Sequence, residues 1–101
     1  MSTTTTTTQT TRHTTLTVIR ETLKNGKTRT TVSAAGETGR PERTTRAAGA
    51  VTVGFDANRG NRSQHAWIVL SISQDAATAS KRLNWWAQRG YTGSHVVTLD
   101  A

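Results

Sequence analysis

In Lys81-Arg82-Leu83-Asn84-Trp85-Trp86-Ala87-Gln88-Arg89 two adjacent tryptophans stand among three cations, and no acid interrupts them. Neighbouring side chains on a helix diverge by about 100°. With Trp86 on the apolar stripe of Ala79 and Leu83, Trp85 falls outside it, where the residues three and four positions away are Lys81, Arg82, Gln88 and Arg89. Arginine forks onto phosphate oxygens and stacks on planar rings. An exposed indole stacks an unpaired base for about 1 to 3 kcal/mol. The chemistry on offer is capture of a polyanion, with no bond made or broken.

Two further groups of arginines extend this pattern. Arg59 and Arg62 lie in the polar stretch Asp56-Ala57-Asn58-Arg59-Gly60-Asn61-Arg62-Ser63-Gln64-His65, and Arg40, Arg43 and Arg46 recur within residues 34–48. Cationic loops add salt-dependent attraction without reading sequence. The expected nucleic-acid-binding set is therefore Lys81, Arg82, Trp85, Arg89, Arg59, Arg62, Arg40, Arg43 and Arg46. The chain contains neither a complete G-x-x-x-x-G-K-S/T loop nor a G-x-G-x-x-G turn, the two glycine-rich cradles for phosphate.

Catalysis finds less support. A serine, threonine or lysine nucleophile needs a base beside it, and the three histidines are His13 near the N-terminus, His65 beside a loop and His95 opening a final strand. Glu21, Glu37, Glu42, Asp56, Asp75 and Asp100 are scattered, so no pair is placed for carboxylate hydrolysis. There is no cysteine, which removes thiol nucleophiles, disulfides and zinc-thiolate sites. Asp56 to Gly60 begins like a calcium loop, but its glycine comes one position early and arginines fill the ligand positions. The expectation is a protein that is no enzyme and has no catalytic residue, cofactor or metal.

The bulk numbers agree with capture of an anion. A net charge of +7 over 101 residues favours acidic partners, nucleic acid first. The longest apolar run, Trp67-Ile68-Val69-Leu70, is far below the roughly 20 residues that span a bilayer, and the N-terminus carries no apolar signal core. A cytoplasmic location is expected, with no membrane partner and no small-molecule substrate.

These side chains need a scaffold. Residues 1–14 are almost pure threonine, with no apolar side chain after Met1 to offset the entropy of ordering; they read as a flexible arm. Leu16 to Leu23 and Thr28 to Ser33 flank Asn25-Gly26, a hairpin signal whose two-residue turn pairs Lys24 with Lys27 and sets Ile19 opposite Val32. Residues 34–48 hold the one proline and no hydrophobic period, so they read as a long basic loop. Ala50 to Phe55 alternates as a strand, and Ala66 to Ser73 is a second with a centre buried on both faces. Ser73 or Asp75 caps a helix running to Arg89, with Ala76, Ala79, Leu83, Trp86 and Ala87 inward and Gly90 as its stop. A turn at Tyr91 to Ser94 leads to a last strand, His95 to Leu99.

The expected fold is α+β: one small, mainly antiparallel sheet of about five strands in the order β-β-β-β-α-β, a helix on one face, and a disordered threonine-rich N-terminal arm. Residues 15–101 form the single domain. The function expected of it is a small basic nucleic-acid-binding accessory protein, DNA or RNA, with weak sequence preference. The alternative is a protein-binding or self-assembling subunit, an adaptor, inhibitor or shell-type protein that uses the arm and the sheet edges to join itself or another chain.

Overall fold

The computed structural model describes residues 3–35, 41–56 and 67–99. The chain is α+β, but its strands form two antiparallel sheets rather than one. In chain order the elements are β1 (Thr4–Thr10), β2 (Thr15–Thr22), β3 (Thr28–Ala34), β4 (Glu42–Thr44), β5 (Ala50–Asp56), β6 (Trp67–Ser73), a bent helix made of α1 (Ala76–Ser80) and α2 (Leu83–Gln88), and β7 (Tyr91–Thr98). The first sheet runs β1-β2-β3-β4 and the second β6-β5-β7. The described residues hold seven strands, where about five were expected.

The threonine-rich segment is not a disordered arm. β1 pairs with β2 residue for residue, from Thr4 opposite Glu21 to Thr10 opposite Thr15. All its residues except Gln9 are exposed, so burial does not order it. Order comes instead from the backbone ladder, from the β-branched preference for extended backbone, and from the turn that closes the hairpin. In that turn Thr11 Oγ1 donates to the Thr14 carbonyl at 2.6 Å and accepts from the Thr14 N–H at 3.0 Å. Gln9 Nε2 donates to the Thr98 carbonyl at 2.7 Å, which ties this edge to the second sheet.

The next hairpin is slipped by one residue from the expected register. Val18 stands opposite Val32 and Leu16 opposite Ala34. The Leu23 N–H donates to the Lys27 carbonyl at 2.7 Å, and Gly26 alone takes a positive φ, 81°. A type I′ turn would need Asn25 there as well. The hydrophobic pattern decides the outcome, because directly opposed residues share a face and only this pairing buries Leu16, Val18, Val32 and Ala34 together.

Within the expected loop at 34–48, of which 36–40 lie outside the described residues, β4 pairs with β3 and sets Arg43 opposite Thr31. Beyond it, β5 is buried on both sides. Val51 and Val53 join Val69, Leu99 and the inward residues of β2 and β3 in one core. The alternate residues Ala50 and Thr52 are also fully buried, on the side where α1 lies and Ala79 is buried. A bulge in β6 sets Ile72 opposite Val51 but Val69 opposite Val53. Ile68, Val69 and Leu70 are buried in succession because both faces of the strand are covered, Val69 in the core between the sheets and Leu70 on the opposite side against Gly54. The expected turn at Tyr91 to Ser94 is instead part of β7, bulged where Gly93 takes a φ of 63°.

The layers are therefore sheet, sheet and helix. The expected single sheet fails for a physical reason: the β2–β3 face carries Leu16, Val18, Val32 and Ala34, and one short helix covers one sheet face only. The second sheet covers the other. Among the described residues no helix is long and apolar enough to cross a membrane.

Candidate functional site

The helix that carries the tryptophans is anchored at Asp75. Its backbone is extended and its carboxylate accepts from the Thr78 N–H at 2.7 Å, the N-cap geometry expected from sequence. That backbone hydrogen bond is the main reason the Asp75 carboxyl titrates below its ordinary value; the Thr78 hydroxyl, Gln74 and Lys81 add to it. A depressed carboxylate contributes stability that is present above its unfolded value and lost as pH falls through the folded one. Thermal melts of the wild type and Asp75→Ala should therefore differ near neutral pH and converge below the ordinary carboxylate value of about 3.9. A gap that stays constant down to low pH would mean the charge contributes nothing.

The helix bends where sequence alone indicates continuity. Ser80 Oγ donates back to the Ala76 carbonyl at 2.8 Å, a bond that pulls a helix off its axis. The Arg82 N–H then reaches only three residues back, to Ala79, before the regular spacing resumes with Trp86 bonded to Arg82. Gly90, at a φ of 97°, ends the second segment. The inward face is Ala79, Leu83 and Trp86, whereas Ala87, expected inside, is exposed.

Trp85 is the one large apolar side chain left exposed among the described residues, at 43%. Lys81 and Arg82 border a hollow of about 390 Å³ with its ring. The Arg89 guanidinium lies 4.0 Å from the ring centroid, a cation–π contact on the indole. Trp86 meets Trp85 edge to face at 4.6 Å and turns inward against Tyr91 at 5.7 Å. Four expected site residues thus come together on one helix.

Arg46 joins them through a cleft. About 300 Å³ of space opens between the β4 and β6 edges, bordered by Arg46 and Arg82 with the small polar groups of Thr44, Ser71 and Ser73. On its other side Arg46 borders a second cleft of about 490 Å³ with Arg20 and Lys27. Arg82 borders both the first cleft and the hollow beside Trp85, and Arg46 borders both the first cleft and the second. A chain of cations results: Arg20 and Lys27, then Arg46, then Arg82, then Lys81 beside Trp85. No aspartate or glutamate among the described residues lines any of the three.

Arg20 and Lys27 are the residues that sequence reasoning passed over. The signal was present for Arg20, which continues the period-two inward face of Leu16 and Val18 to the sheet's rim and stands opposite the buried Thr30. Arg43 is exposed on β4 and borders neither cleft that Arg46 joins. Arg40, Arg59 and Arg62 lie outside the described residues, as does His65. His95 meets His13, at 5.1 Å between ring centroids, and both pack on Trp67. His95 Nδ1 donates to the Gly93 carbonyl at 2.8 Å, so that ring is held by the β7 bulge.

Comparison with protein-family models, with curated proteins and with solved structures finds no match to this chain.

Proposed function

We propose that this chain is a nucleic-acid-binding accessory protein with weak sequence preference, and that it takes a single strand along the chain of cations. The observation that carries this reading is the sharing of Arg46 and Arg82 between adjoining concavities that no aspartate or glutamate among the described residues lines, with an exposed indole at one end. Arginines in series track a phosphate backbone, and small hydroxyl groups beside them add neutral donors. Trp85 supplies a stacking face that any unpaired base fits, so affinity follows backbone charge and stacking rather than base identity. Arg89 beneath the indole holds the ring in place while leaving part of it open.

Titration of a labelled single-stranded oligonucleotide at several salt concentrations tests the reading. With about four phosphates neutralised, log K should fall with log salt at a slope near −3. Trp85→Ala should weaken binding by roughly 5-fold to 150-fold, the equivalent of about 1 to 3 kcal/mol of stacking, and should leave that slope unchanged. Affinity that does not vary between low and physiological salt would sink the proposal.

A further inference from the structure

β1 and β4 are the two edges of the first sheet, and they differ in kind. β4 is three residues long and carries Glu42 and Arg43, the short and charged form that resists pairing with another strand. β1 is seven residues long and contains no charge, proline or glycine. Its side chains are exposed except for Gln9, which reaches Thr98, and no strand among the described residues pairs with its outer side. The outward N–H and C=O groups of such an edge are a template for one more strand.

Two features name the occupant. The sequence Thr4-Thr5-Thr6-Thr7-Thr8-Gln9-Thr10 reads almost the same in both directions. Under a two-fold axis at Thr7, an antiparallel copy sets Thr4 against the partner's Thr10, Thr6 against the partner's Thr8, and Thr7 against itself. Cross-strand Thr–Thr pairs of this kind are favourable. Charge is the second feature. Copies of a chain carrying +7 repel over most of their surfaces, but a run of uncharged residues lets them meet. Arg12, the first cation beyond β1, would lie ten positions along the strand from its symmetry mate, about 33 Å. Screening at ordinary salt acts over about 10 Å, so the two do not oppose pairing.

We infer that β1 is a self-association edge, and that two copies pair antiparallel about Thr7 to join their four-stranded sheets into one of eight strands. The proposal is independent of nucleic-acid binding, since it uses neither the clefts nor the helix.

Sedimentation of the full chain in high salt, with no nucleic acid present, should give twice the mass of the 10.9 kDa chain. Thr7→Lys sets two cations face to face at the axis and should raise the dissociation constant at least tenfold, and Thr7→Glu should do the same with two anions. Thr7 is exposed, so both variants should keep the wild-type circular dichroism. Mixing them sets Lys against Glu and should restore the dimer. A wild type that sediments as a monomer, a Thr7→Lys dimer as tight as the parent, or a mixture that stays monomeric would each overturn the inference.

Discussion

Alanine at both Arg46 and Arg82 should weaken single-strand binding about sixtyfold at about 0.05 M salt and about fifteenfold at about 0.15 M, with the salt slope reduced by about 1.4. The magnitudes follow from counterion release: each phosphate contact on a single strand contributes about 0.7 to the slope, and losing two removes about 1.4 decades of affinity per decade of dilution below 1 M. These two side chains are chosen because each borders two concavities, so their loss divides the path into separate pieces. Arg29→Ala is the matched control. Arg29 is bound to Glu21 through two hydrogen bonds, at 3.1 and 3.3 Å, and borders none of the three hollows. Both variants lose positive charge, but only the double variant should lose more than a few-fold in affinity. Equal losses per arginine would mean that net charge alone attracts the strand, with no track.

Leu16→Ala should cost about 3 kcal/mol of unfolding free energy, and so lower Tm by roughly 12 to 24 °C in a domain of this size. Leu16 is the largest fully buried side chain among the described residues, and its cluster is otherwise made mostly of valine and alanine. The residue opposite it is Ala34, too small to move into the space a truncated leucine leaves. Total stability for a chain of this length is about 5 to 15 kcal/mol, so this one substitution removes a large share. Thermal and urea melts read the effect directly. A fall in Tm of less than about 3 °C would mean the two sheets do not share a close-packed core around this residue. Trp85→Ala removes only the contacts of a surface indole with Arg89 and Trp86 and should lower Tm far less than Leu16→Ala, which separates the proposed binding role of that side chain from a structural one.

The helix was readable because its signals are local. The capping carboxylate at Asp75, the stop at Gly90 and the placement of Lys81, Arg82 and Arg89 around Trp85 all follow from helical spacing, and the bend at Ser80 leaves them in place. The strands β5 and β6 were readable from their alternation and apolar runs. Two local inferences failed on competition between local and long-range preference. Asn25-Gly26 favours a two-residue turn, but burial of Leu16, Val18, Val32 and Ala34 on one face overrode it. The threonine run looked disordered because composition counts only the apolar surface a segment buries, whereas β1 is held by main-chain pairing to β2.

What the sequence determined by itself is the alphabet of the molecule: an α+β chain, a strongly basic one, with an indole among cations on its helix. Tertiary structure decided the count of sheets and the path between the cations. Periodicity states which face of an element must be covered, but not by what, so the cover that β5 and β6 provide for β2 and β3 could not be read in advance. The same reasoning applies to Arg20, Arg46 and Arg82, which lie on separate elements far apart along the chain. Arg46 and Arg82 border one cleft because the β4 and β6 edges meet, and Arg20 borders the next cleft with Arg46; such meetings are a property of packing between elements, to which no single stretch of sequence holds the key.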